Sequence, residues 1–285
     1  MNAKTVSANP SRGISGSTLK IMAMICMLID HFGAAILEQI LYARGLSTLT
    51  TQEQFDTFIA ANNTLYLADI TCRVIGRIAF PIFCFLLIQG FCYTHSRLKY
   101  CRNLLLFALI SEIPFDLAFN RKPLEFTYQN IFFTLGIALA ALCLLELIAQ
   151  KHYPQPVQLL LTLLTTVSAC ALATLLKTDY GAFGVLTIII MYMFRTQKFL
   201  CAALGCTTLT VMSLSEISAF LSLIPIRLYN GKRGLKLKYL FYAFYPVHLL
   251  ILAGIATLLL SPTLQALPSA LPLKPSAPFP NHIPC

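Results

Sequence analysis

YNGKRGLKLKYLFYAFYPVHLLIL, residues 229–252, decides how the chain is read. It opens on a Gly-flanked basic turn, Tyr229-Asn230-Gly231-Lys232-Arg233-Gly234, and Lys236 and Lys238 extend the charge. A long apolar helix follows, with Tyr239, Tyr242, Tyr245, Pro246 and His248 inside it. Gly231 and Gly234 tolerate positive φ, so the turn can present backbone N–H groups beside Lys232 and Arg233, a setting suited to phosphates. Tyr245 and His248, at i and i+3, place a polar ladder on one helix face. A plainer reading stands beside this one. The five basic residues between positions 227 and 238 would then mark the cytoplasmic side, with tyrosines at headgroup level and His248 as a packing residue.

The rest of the chain fits a membrane setting. Of 285 residues, 57% are hydrophobic and only 11% charged, with a mean hydropathy of +0.73. Soluble domains carry about 25% charged residues. The net charge is +10. In a soluble protein that balance would point to nucleic acid. Here the basic residues lie between apolar runs and no nucleic-acid motif is present, so they read as topology signals and phosphate contacts. Ten cysteines occur without a CxxC pair, mostly inside apolar runs. They read as small packing residues, not as disulfides or a metal site. HExxH and related ligand patterns are absent, so no metal is expected.

The fold expected is all-α: a polytopic transmembrane helical bundle of about 8–9 membrane helices spanning residues 18–260. Residues 1–17 read as a flexible cytoplasmic tail and residues 261–285, rich in Pro and Ser, as a disordered one. Helices are expected over residues 19–41, 70–93, 103–119, 127–149, 157–176, 182–194 and 237–260. Residues 43–68 form a polar loop with a short helix near 52–59, and 94–102 a basic loop. Residues 199–226 carry a polar centre, Ser213, Ser215, Glu216 and Ser218. They form either one long tilted helix or a double passage, as two short helices or as a re-entrant pair. The double passage keeps the basic loop at 227–238 on the same side as Arg195 and Lys198, as the positive-inside rule requires.

Several charged residues fall inside these helices. Asp30-His31 lies near the middle of the first, where an acid costs roughly 2.5–3.5 kcal/mol on insertion scales. Such a pair faces a bundle interior or a wet cavity, either as a structural hydrogen bond or as a general base. Neighbours in a helix point about 100° apart, so Glu112 or Asp116 is an alternative to Asp30 as the orienting acid. Arg73 and Arg77, at i and i+4, either snorkel or stabilise an anion or developing oxyanion. Pro81 should kink their helix. Glu112 and Asp116 are natural partners for Arg73, Arg77 or His31.

Taken together, LKIMAMICMLIDHFG, RVIGRIAFPIFCFLLIQGF, KYCRNLLLFALISEIPFDLAFN, NIFFTLG, DYGAFGVL and the 229–252 stretch resemble the TraX family over residues 19–252. The resemblance implies a multi-pass protein of the bacterial inner membrane, related to the acyltransferases that acetylate cell-surface sugars. The family's namesake acetylates the N-terminus of conjugative pilin. The activity implied is transfer from acetyl-CoA to a membrane-associated acceptor: a pilin-like peptide, a glycan or a lipid. The related sugar acyltransferases place an essential histidine in the first helix, which here is His31. Asp30, Arg77, Glu112 and His248 are the other catalytic candidates. Lys232, Arg233, Asn230, Tyr229, Arg73 and Arg102 are candidates for the coenzyme, and Tyr245, Asp116 and Asn130 for the substrate lining. A non-catalytic assembly factor and a small-solute transporter, with Asp30, Glu112 and the arginines as a relay, are the readings from other classes.

Overall fold

A computed structural model describes residues 13–235 and 238–261. The expected tails beyond those bounds, Lys236, and the side chains of Lys238 and Tyr239 lie outside what is described. Among the described residues the chain is helical, with two isolated bridges, Ile14 to Tyr229 and Gln129 to Thr178, and no strand.

The first span covers Gly16–Ala43. It comprises α1 (Gly16–Phe32), a single π turn (Gly33–Leu37) and α2 (Glu38–Ala43). Ser15 caps it by accepting from the Thr18 N–H at 3.2 Å. Helix α3 (Gln52–Ala61) carries a reciprocal cap between Thr51 and Gln54. Helix α4 (Asn63–Gly76) starts seven residues before the expected position 70, because nothing between Asn63 and Asp69 breaks a helix. Helix α5 (Ala79–Tyr93) follows after a break at Arg77 and Ile78. The break is the kink expected from Pro81: proline has no N–H for the Arg77 carbonyl four residues back.

Helix α6 (Arg97–Phe119) corrects the reading of 94–102 as a loop. Ser96 accepts from the Lys99 N–H, so Arg97, Lys99 and Arg102 ride on the first helical turns. Helix α7 (Ile131–Gln150) starts after Asn130, not at 127, because the Asn130 side chain accepts from the Phe132 N–H at 3.0 Å. Helices α8 (Gln155–Leu175), α9 (Gly181–Met193) and α10 (Lys198–Met212) succeed one another through short turns. Ser213 is extended and reverses the chain. A 3-10 stretch (Leu214–Ser222) and α11 (Leu223–Arg227) then return along α10. The Lys198 Nζ donates to the Tyr229 carbonyl at 2.9 Å, so this hairpin ends where it began. The chain thus runs out along α10 and back in one hairpin. Helix α12 (Lys238–Leu259) closes the fold against α6.

Among the described residues, five helical stretches are long and apolar enough to cross a membrane: Gly16–Ala43, Asn63–Tyr93, Ile131–Gln150, Gln155–Leu175 and Leu240–Leu259. Helices α9 and α10 are apolar but shorter. Helix α8 buries only Ala169 and Ala173, which leaves most of its apolar surface outward. The core runs between α5, α7, α9 and α10, where Phe85, Ile88, Leu139, Leu142, Ile188 and Leu209 are fully enclosed.

The two ends of the bundle differ in charge. One end gathers Arg97, Lys99, Lys151, Arg195, Lys198, Arg227, Lys232 and Arg233. It is tied together by Arg97 to Glu146 at 3.0 Å and Tyr192 to Glu146 at 2.7 Å. The opposite end mixes Arg44, Arg121, Lys122 and Lys177 with Glu53, Asp56 and Glu125. There the Lys122 ammonium, 3.2 Å away, holds the Glu125 carboxyl below its ordinary range.

The hairpin is fastened to the rest by a buried ion pair. Arg77 Nε lies 2.9 Å from Glu216 Oε1, and Glu216 is fully enclosed. Ser218 also donates to the Val74 carbonyl at 3.0 Å. Removing one partner strands a buried charge, which costs about 3–5 kcal/mol. Arg77→Met is therefore expected to destabilise the protein by that amount, and Arg77→Met with Glu216→Leu to recover most of it. Unfolding midpoints of the purified protein in detergent would check both.

Candidate active site

Between α1, α5, α6, α7 and α12 lies a partly open cavity of about 160 Å³. Its walls are largely apolar, including Met24, Phe83, Leu87, Leu104, Phe132 and Leu135. Its polar lining is divided. Lys20, Tyr100 and Tyr242 lie towards the basic end, and Asp30, His31, Asp179, Tyr180 and Tyr245 towards the other. Lys20 and His31 stand eleven residues apart on one span, so the cavity extends about 16 Å along the helix axis.

His31 and His248 meet in one site. His31 Nδ1 is 2.7 Å from His248 Nε2, and His248 Nδ1 is 2.7 Å from the Phe244 carbonyl oxygen. A carbonyl only accepts, so His248 Nδ1 carries the proton. In the neutral ring Nε2 then accepts, which places the other proton on His31 Nδ1. His31 Nε2 is left with its lone pair, on a ring that lines the cavity. Phe119 and Tyr245 stand edge-on to that ring at 5.4 and 5.9 Å and fix its plane. The ladder of Tyr245 and His248 thus converges on His31, with Tyr245 also 5.6 Å from His248.

The acids are distributed differently from expectation. Asp30 pairs with Arg73 at 2.9 Å instead of with His31. This is possible because Gly76 has no Cβ: one placed there would stand 2.2 Å from Asp30 Oδ1. Neither Glu112 nor Asp116 reaches His31, Arg73 or Arg77. Glu112 accepts from the Asn130 side chain and, at 3.4 Å, from its backbone N–H. Asp116 accepts from the Glu125 N–H at 2.8 Å and from Asn120 at 3.1 Å. Both acids brace the turn between α6 and α7. Asn130 belongs to the same brace, donating to the Ala108 carbonyl at 2.8 Å, and does not line the cavity. Arg73 and Arg77 are held by Asp30 and Glu216 just outside the cavity wall.

The turn at 229–234 lies over the basic end. Gly231 and Gly234 take φ of 78° and 75°. The Lys232 and Arg233 carbonyls accept from Gly16 and Ser17, at 2.8 and 3.0 Å, and so cap α1. The backbone therefore offers carbonyls to a helix N-terminus, and the Lys232 N–H is taken by Asn230 Oδ1 at 2.9 Å. What remains for an anion are the exposed Lys232 and Arg233 side chains. Tyr229 is buried against Phe85, and Arg102 is exposed on α6 away from the cavity.

Asp179 and Tyr180 also line the cavity and were not singled out from the sequence as site residues. Asp179 takes a 2.6 Å hydrogen bond from the Tyr128 hydroxyl, and burial pushes its carboxyl up against that bond. Tyr180 stacks on Phe80 at 4.0 Å and has a φ of 59°, a left-handed backbone rare outside glycine. The only sequence signal was an acid and a tyrosine before Gly181 in a tight turn.

A protein-family model described as TraX protein matches residues 15–256. The chain is also 28% identical over 273 residues to the "Probable fimbrial assembly protein FimC, serogroup H1" of Dichelobacter nodosus, an alignment covering 86% of this chain and 97% of that one. No solved structure matches.

Proposed function

The chain belongs to the TraX family, and from that premise we propose that it is an integral-membrane acetyltransferase moving an acetyl group from acetyl-CoA to an amine at the membrane. The observation that carries this reading is the hydrogen-bonded order Phe244 carbonyl, His248, His31, which leaves an unprotonated nitrogen on a ring that lines the cavity. His31 Nε2 takes the proton from the attacking amine as the new C–N bond forms. The C–S bond breaks, and His31 returns that proton to the leaving sulfur. The sum is an amide and free coenzyme thiol. His248 holds the His31 ring in the tautomer that keeps Nε2 unprotonated.

The acceptor is read from two features. Asp179 has lone pairs left at the His31 end of the cavity, which favours a hydrogen-bonding amine. The relative named for fimbrial assembly directs that amine to a pilus or fimbrial subunit. By the positive-inside rule the basic end faces the cytoplasm, where acetyl-CoA is made, and the setting is the bacterial inner membrane. Reading every pass as a crossing, with α10 and its return as two, gives nine membrane segments.

The test is release of coenzyme thiol from acetyl-CoA by purified protein when membrane extract is added. His248→Phe is expected to slow release at least tenfold and to change its pH profile, since His31 then lacks the acceptor that fixes its tautomer. Thiol release equal in wild type and protein-free samples would favour assembly without catalysis, as the relative's name allows.

A further inference from the structure

Resting on that reading, we propose that the cavity takes its donor lengthwise, with the donor's phosphate-bearing head on Lys20 and its arm running past Met24 and Leu87 to His31. Lys20 is the cation of the cavity lining. No carboxylate pairs with it among the described residues. Its Nζ stands 4.7 Å over the Phe241 ring, which holds the side chain at the cavity's basic end. Gly16 and Ser17, one turn earlier on the same helix, are bonded to the Lys232 and Arg233 carbonyls. Three cations therefore gather at one end of a mostly apolar channel, and the base stands at the other.

This polarity selects a class of ligand: a long neutral arm with an anion at one end and a reactive carbon at the other. A pantetheine arm has the length of about five extended residues, on the order of 16 Å, which matches the separation of Lys20 and His31. Tyr100 and Tyr242 lie between the apolar walls at the basic end, and neither hydroxyl makes a hydrogen bond among the described residues. They suit the amides of such an arm. An anionic lipid would present the same phosphate to Lys20, but its chains have no amides for these hydroxyls.

The test is equilibrium binding of labelled acetyl-CoA, and of S-acetylpantetheine, to the purified protein in neutral phosphatidylcholine nanodiscs. Wild type should bind acetyl-CoA at least tenfold more tightly than S-acetylpantetheine. Lys20→Glu should erase that preference by weakening acetyl-CoA alone. Leu87→Trp, which fills the channel's middle, should weaken both. An unchanged preference in folded Lys20→Glu overturns the proposal. So does a Lys20→Glu effect seen only as lost retention of phosphatidylglycerol in a parallel set of nanodiscs that contain it, which would assign the cation to a lipid headgroup. Lys20-dependent acetyl-CoA binding without any transfer would sustain this proposal and sink the acetyltransferase reading.

Discussion

His31→Ala is expected to lower acetyl transfer by roughly 10²–10⁴-fold, the worth of a positioned general base. The loss should fall on kcat more than on the apparent KM for acetyl-CoA, since the proposed binding mode puts the coenzyme's head at the other end of the cavity. The partner substitution sharpens the expectation. His248 acts only through His31, across the 2.7 Å bond between the rings. Once His31 is gone, His248→Phe has nothing left to orient. The double variant should therefore be no slower than His31→Ala, a non-additivity that independent roles would not give. Rates for the four proteins, each at saturating acetyl-CoA, would check it.

Gly76→Val should have the second largest effect. A Cβ at this position would stand 2.2 Å from Asp30 Oδ1 and 2.3 Å from Asp30 Cβ. The obstacle is the base of a side chain fixed by its bond to Arg73 and by its own helix, so it cannot swing aside. Helices α1 and α4 must separate. Overpacking of this kind costs about 1–3 kcal/mol, and here it also shifts the residue next to His31. Loss of transfer should exceed what the drop in unfolding midpoint explains. Gly254→Ala in α12 is the control: nothing lies within 4 Å of a Cβ there, and both stability and transfer should hold.

These two expectations show where sequence and structure part company. Apolar runs between Gly, Pro and basic residues located the helices, because membrane helices are long and their ends are marked by charge and turn formers. The break at Arg77 followed from Pro81, while the polar residues around Ser213 allowed a reversal without requiring it. Pairings were a different matter. Periodicity showed that Glu112 and Asp116 share a face with each other, but not which neighbour the face meets. The neighbour proved to be the Asn130 turn. Glu216 was legible as a polar break, but its bond to Arg77 depends on how the hairpin folds back. His31 and His248 are 217 residues apart, and no local pattern says that their rings touch. Lys20 resembled any lysine near the end of a membrane helix. What distinguishes it is the cavity beneath it, which no single element contains.

The central claim is that this chain transfers acetyl groups with His31 as the base. It is tested most directly by incubating purified wild type and His31→Ala with acetyl-labelled acetyl-CoA and membranes that contain fimbrial subunits. Label is expected in an amide of a membrane-associated acceptor with wild type, and at least a hundredfold less with His31→Ala at equal folded protein. Equal labelling by the two proteins would remove His31 as the base.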